Sequence, residues 1–375
     1  MTRSTSIDLT DAPRIGPSEL EDIALGATVL GTGGGGDPHV GKLVAQQAVE
    51  SHGPVPLVDP GDIPDDAFVV PTAQMGAPTV AYEKVPGGTE SGTSVARLEA
   101  EIGREADAIM PIECGGINST IPFVVAAERG LPIVDADGMG RAFPELQHET
   151  FNVYGVRGTP AAIADEHGNT CLLDTIDNDD LEWLARGLTV RMGGVAYVSD
   201  YPMNGDAVRD TAIHGTMSLA AAIGRELRRG GSAVEAIARA TTDSSYGTAR
   251  SLFRGKIVDV HRRNERGFVV GRVHLDELED DRQMRIDFQN ENLGARIDGE
   301  YVATVPDLIT VLDAETGMPI PTERLRYGAR VEVVGIPTPP IMRTDDALAV
   351  WGPETFGLET SFEPLDPVTS RAGGM

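Results

Sequence analysis

Several residues in this chain could do chemistry by their type and spacing. The first group is Gly31-Thr32-Gly33-Gly34-Gly35-Gly36-Asp37-Pro38. Glycine costs roughly 0.5–1 kcal/mol more than alanine to order, so such a run implies positive φ or backbone that approaches a ligand closely. Bare amides ahead of a helix that opens on Pro38 predict that Gly33, Gly34, Gly35, Gly36 and Asp37 cradle an anion or a carbonyl. The second group is acidic: Glu113, Asp135 and Asp137 close apolar runs, and Asn118 follows Glu113 in Glu113-Cys114-Gly115-Gly116-Ile117-Asn118. Neighbouring acids push one another's pKa values apart, so one of them is expected to activate water. The third group is cationic. Lys84, one of the three lysines with Lys42 and Lys256, follows Glu83 and the segment Gln74-Met75-Gly76-Ala77. It reads either as a substrate-carboxylate anchor, a role Arg141 shares, or as a solvated ion pair with Glu83. Two further readings use the same segments. Cys114 is a candidate nucleophile or a small buried residue. Asp135-x-Asp137 with Glu113 and His39 or His148 is a candidate centre for a divalent metal such as zinc or manganese, its ligands unassigned because no HxH or HExxH spacing occurs.

These residues need a scaffold that brings strand ends together. The run Leu20, Ile23, Ala24, Ala27, Leu30 has helical spacing and leads into the glycine loop; residues 38–51 continue as a second helix. Residues 55–58 and 68–70 are strand-like. Residues 94–105 form an amphipathic helix, 108–113 a buried strand, 122–129 a helix and 131–134 another strand. Two strand–loop–helix units in succession predict a mostly parallel α/β sheet, with polar residues at the strand ends lining a crevice. Gly115 and Gly116 would border it. After residue 151 short strands and helices alternate, and from residue 255 turn-separated strands predict a β-rich domain, swivelling or sandwich-like, with helices. The expected division is a disordered tail 1–16, an α/β domain 17–175, a mixed β-rich domain 176–366 and a disordered tail 367–375.

Composition excludes some partners. The 375 residues carry 58 acidic and 31 basic side chains, a formal charge of -27. Such a surface repels nucleic acid and anionic lipid headgroups and suggests a halophilic setting. With two cysteines and no apolar run near ~18–20 residues, a cytoplasmic location without membrane association is expected. Gly31-x-Gly33-x-x-Gly36 matches a dinucleotide fingerprint formally, but a helix precedes it where a strand is required. Nucleotide binding is therefore the lesser reading. A Walker-like Gly36-x-x-x-x-Gly41-Lys42 is followed by Leu43 where a magnesium-binding hydroxyl belongs.

Taken together, Leu30-Gly31-Thr32-Gly33-Gly34-Gly35-Gly36-Asp37-Pro38, Met75-Gly76-Ala77-Pro78, Gly115-Gly116-Ile117-Asn118-Ser119, Asp135-Ala136-Asp137-Gly138-Met139-Gly140-Arg141 and Phe288-Gln289-Asn290-Glu291-Asn292 resemble the S-methyl-thiohydantoin desulfurase-like family. The resemblance implies an N-terminal α/β and a C-terminal β-rich domain. It also implies hydrolytic removal of sulfur from a thiohydantoin ring; the expected chemistry is hydrolysis at a ring carbon of such a ring or of a related small cyclic imide, with Gly33 to Gly36 and Asn118 as oxyanion donors. An accessory role beside a hydantoinase-type protein partner is the alternative, and a homo-oligomer is compatible with either.

Overall fold

The computed structural model describes residues 7–36, 38–77, 80, 84, 87–265 and 268–365. The first sheet begins with β1 (Arg14–Ile15), β2 (Val55–Val58), β3 (Phe68–Gly76), β4 (Ala108–Pro111) and β5 (Ile133–Val134). It is completed by β7 (Ala161–Ala164), β8 (Thr170–Leu173), β9 (Val195–Ser199) and β10 (Met203–Asn204), while β6 (Ala136–Asp137) pairs apart with β11 (Ile213–His214). The strand order is β1-β2-β5-β4-β3-β9-β7-β8, with β10 also on β3. Its centre, β2-β5-β4-β3, is parallel. β2 and β4 are buried along their whole length. Continuous apolar runs without alternation are how strands covered on both faces read.

Helices supply the cover: α1 (Pro17–Leu30), α2 (Pro38–His52), α3 (Glu90–Ile102) and α4 (Ile121–Arg129), the last linking β4 to β5 as the strand–loop–helix pattern predicts. Further along come α5 (Thr150–Val153), α6 (Asn178–Arg191), α7 (Gly205–Thr211), α8 (Thr216–Arg228), α9 (Ala233–Thr242) and, near the end, α10 (Asp345–Trp351). The expected disordered tail 1–16 needs correction at its inner end. Ile15 is buried beside Val55, so Arg14 and Ile15 pair with β2 as an antiparallel strand. Residues 1–6 and 367–375 lie outside the described residues. Beyond residue 176 the chain also returns to the first sheet, laying β9 antiparallel against β3 (Thr72 opposite Ser199, Gly76 opposite Val195).

The second sheet is an antiparallel half-barrel of β12 (Arg250–Glu265), β13 (Phe268–Glu277), β14 (Gln283–Gln289), β15 (Glu291–Ile297), β16 (Glu300–Thr304), β17 (Leu308–Asp313) and β18 (Arg330–Ile336). Its order is β16-β15-β14-β13-β12-β18-β17. Alternation sends Met284, Ile286 and Phe288 of β14 inward, where Met284 and Ile286 join Ile257, Val273 and Val331 in one core.

Two contacts join these halves and set the site. Helix α1 packs on α8 at glycines: a Cβ at Gly224 would run into the Asp22 carbonyl, and one at Gly26 into that of Ala220. Gly224→Ala is therefore expected to cost about 1–3 kcal/mol, as overpacking does; an unchanged urea midpoint would contradict this packing. The glycine loop in turn is tied to the second sheet. Thr32 O accepts from Asn292 N at 2.8 Å, Gly33 O accepts from Thr322 N at 2.8 Å, and Thr310 Oγ1 donates to Val29 O at 2.7 Å. No helix among the described residues is long and apolar enough to cross a membrane.

Candidate active site

A cavity of about 120 Å³ opens where the carboxyl ends of β3 and β4 meet the first residue of β15. That position beyond the strand ends is where ligands bind in α/β sheets. Glu113 follows β4, Asn118 lies in the 3₁₀ turn Gly116–Ser119, and Glu291 enters from the second sheet; all three are buried and line the cavity. Asn118 holds Glu113 in place. Its Nδ2 donates to Glu113 Oε1 at 2.7 Å and to Gln74 O at 3.1 Å, and its Oδ1 accepts from Gln74 N at 2.8 Å. The Phe143 amide also donates to Glu113, and the Gly35 amide to Glu291. Each carboxyl keeps one oxygen, Glu113 Oε2 and Glu291 Oε2, buried without a hydrogen-bond partner.

Electrostatics follow from that burial. Desolvation, then the neighbouring Glu291, pushes Glu113 well above the usual carboxylate range. Desolvation likewise raises Glu291 to about 8, against the opposing pull of Arg141 and the Gly35 amide. Two such acids in one dry site titrate as a pair, each disfavouring the other's ionised form. The cavity wall adds Tyr197 on β9, whose hydroxyl accepts from Gln74 Nε2 at 3.0 Å; burial lifts its phenol to about 12, so it stays a donor. At the rim Lys84 Nζ contacts Glu166 Oε1 at 2.6 Å and donates to Met192 O at 2.9 Å. Arg186 stands nearby, bonded to Glu182 and to Pro144 O.

Several residues expected in the site lie elsewhere. Asp135 caps α8, accepting from the amides of Met217 (3.0 Å) and Ser218 (2.9 Å) and from the Ser218 hydroxyl. Asp137 ties its own loop to the one after β4, accepting from Cys114 N and from Gly140 N at 3.0 Å; burial raises it to about 7, but it does not line the cavity. Arg141 is fully buried, and its guanidinium is spent on Thr32 Oγ1 (2.8 Å), Asn292 O (2.8 Å), Asp307 O (3.1 Å), Pro306 O (3.4 Å) and Ala142 O (3.1 Å). It is a cross-link between the sheets and has no donor left to anchor a substrate. Burial drives the Cys114 thiol far up, with Asp137 and Asp135 adding to it, and Sγ lies 3.3 Å from Thr216 O; this is not a poised nucleophile.

The glycine loop is also committed differently from the expected cradle. Gly34 N donates to Gly31 O at 2.8 Å and Gly35 N to Glu291, while Gly33 packs on Asn292 and Thr322. Gly35 has φ +72, and a Cβ there would sit 2.6 Å from Gly115 O, with Gly116 close behind. The glycines thus serve close backbone packing, and of the loop's described residues Gly35 and Gly36 line the cavity. Gly115 and Gly116 sit behind them. The loop also follows a helix, α1, so the dinucleotide fingerprint lacks its strand. Met75, Gly76 and Lys84 do line the cavity; Asp37 and Glu83 lie outside the described residues.

The metal reading fares no better. His39 is exposed on α2, and His148 lies between the rings of Phe143 and Phe356, its pKa lowered to about 3 by burial and by Arg141. With Asp135 and Asp137 engaged as described, the proposed zinc or manganese ligands do not converge. Among the described residues no group of three or more His, Cys, Asp or Glu side chains is placed to hold a metal ion.

Sequence reasoning missed Glu291, Gln74, Tyr197 and Glu166 as site residues. The available signal for Glu291 was an acid between two asparagines, Asn290 and Asn292, where a strand of small and apolar residues begins.

The sequence and the fold have known counterparts. The profile of the S-Me-THD-like, N-terminal domain matches residues 18–175, and that of the S-Me-THD-like, C-terminal domain matches residues 176–365. A crystal structure of a protein from Chromobacterium violaceum is 25% identical and superposes with a TM-score of 0.78, over 95% of this chain and 100% of that one. Among curated proteins no match is found. With matched residues running from the start of α1 to beyond the last helix, the chain belongs to the S-Me-THD-like family.

Proposed function

We propose that this protein hydrolyses a small cyclic imide or thio-imide of the S-methyl-thiohydantoin type, with Glu113 and Glu291 as a paired base and acid. The observation that carries the reading is that both buried carboxyls line one small cavity and each leaves an oxygen unpartnered. Family membership supports the substrate class. We assign the base role to Glu113, whose Asn118 and Phe143 donors favour its ionised form against the burial that raises it, and the acid role to Glu291, raised to about 8.

Water bonds to the ring carbon that bears sulfur as Glu113 takes one of its protons, and the carbon–nitrogen π pair moves to the ring nitrogen, which takes the proton of Glu291. The resulting tetrahedral carbon then loses sulfur. Its hydroxyl proton returns to Glu291, the carbon–oxygen double bond forms, the carbon–sulfur bond breaks, and the thiolate leaves with the proton held by Glu113. Both carboxyls regain their starting states, and the products are a hydantoin and a thiol. Tyr197, which lines the same cavity, would donate to the ring heteroatom where charge gathers. Lys84, already neutralised by Glu166, would shape the rim.

The test is incubation of the protein with S-methyl-thiohydantoin in ¹⁸O-enriched water. The reading predicts a hydantoin carrying one ¹⁸O atom and one equivalent of methanethiol. Saturable binding without thiol release would reject catalysis and favour an accessory role.

A further inference from the structure

Helix α6 carries an apolar stripe that no other described residue covers. Trp183 is 73% exposed, Val190 61% and Leu184 39%, and Ile176 just before the helix is 86% exposed. A large exposed indole amid aliphatic neighbours marks an interaction surface more often than a bare one. Its spacing says what kind. Asp179, Trp183, Gly187 and Arg191 follow one another at intervals of four, so they form a single ridge. All four are exposed, and around the Cβ position of Gly187 there is no atom within 4 Å, which leaves a notch one turn from the indole.

We infer that this ridge is the contact of a two-fold homodimer, the occupant being α6 of a second copy of this chain running antiparallel. The order acid, indole, notch, base reads in reverse as base, notch, indole, acid. Laid antiparallel about a two-fold axis that crosses the ridge midway between Trp183 and Gly187, each Trp183 therefore meets the partner's Gly187, and each Asp179 meets the partner's Arg191. A two-fold contact must be self-complementary in this way, because every pairing occurs twice. Charge complementarity favours a second copy: the chain as a whole carries -27, so two copies repel unless the contact itself supplies opposite charges. The ridge does so at both ends. Nothing in this contact depends on the proposed chemistry.

Sedimentation equilibrium across micromolar concentrations tests it, in low salt and in 1 M salt. The wild-type protein is expected at twice the 39.7 kDa of the chain, and Trp183→Asp at 39.7 kDa. Asp179→Arg and Arg191→Asp should each weaken the dimer by roughly tenfold or more, and the double reversal should restore it. Fluorescence guards against a variant that fails to fold. Trp351, the other tryptophan, is fully buried, so dilution of the wild-type protein should shift only the Trp183 emission to the red. A 39.7 kDa wild-type mass at every concentration and salt, or a dimer indifferent to Trp183→Asp, overturns the proposal; a double reversal no better than the singles overturns the antiparallel register.

Discussion

Glu113→Gln is expected to lower kcat/KM for thiohydantoin hydrolysis by about 10²–10⁴-fold, the usual share of a general base, while leaving the fold intact. Glutamine keeps the carbonyl oxygen that accepts from Asn118 Nδ2, and it is close in volume, so the cavity wall should hold its shape. What it loses is the basic oxygen that has no protein partner. Stability should move the other way. Because burial raises the folded-state pKa of Glu113 above its unfolded value, its contribution is fully present below the unfolded pKa and is lost as pH rises toward the folded one. Removing the ionisable group removes that loss, so at pH 8 the variant should be as stable as the wild-type protein or more so. Methanethiol release and urea unfolding on the same sample check both halves, and an active variant would remove Glu113 from the chemistry.

Arg141→Met should produce the largest loss of stability of any single substitution considered, about 3–5 kcal/mol, the cost of breaking a buried charged network by removing one partner. The side chain is fully buried and stacks 5.0 Å from the Phe143 ring. Its loss strands Thr32 Oγ1 and the carbonyls of Asn292 and Asp307, and it takes a positive charge away from Glu291 and Asp307. Arg141→Lys should rescue little, because one ammonium cannot span acceptors arranged for a planar fork. The same change should push Glu291 further up, since Arg141 is what holds it down. A drop in urea stability below about 1 kcal/mol would show that the two sheets do not depend on this cross-link.

The contrast between Glu113 and Arg141 shows how far the sequence alone is legible. Helices α1, α2, α4, α6 and α8 have clear apolar spacing, and the strand–loop–helix units by themselves place Glu113 and Asn118 at a strand end. The same rule also puts Asp135 and Asp137 there, because ending a strand in an acid looks alike whether the acid faces a crevice or caps a helix. The distinction rests on Met217 and Ser218, some 80 positions later in the chain, whose amides claim Asp135. Arg141 is misjudged for a related reason: its acceptors at Asn292 and Asp307 lie 151 and 166 positions away. Glu291 stays hidden because β15, with Gly294 and Ala295 in its middle, lacks the β-branched pattern of a strand and gains its place by pairing with β14 and β16. Charge, in contrast, carries no information about which acids become buried.

The pH profile of kcat/KM for the wild-type protein beside Glu291→Gln tests the paired-carboxyl account most directly. The account predicts a bell for the wild-type protein, falling on the alkaline side near the raised Glu291 value of about 8, where the acid loses its proton. In Glu291→Gln the rate should be reduced and that alkaline fall should be gone, since the amide has no proton to lose. An unchanged rate with the same alkaline limb would mean that Glu291 is not the acid and that the pair does not do the chemistry.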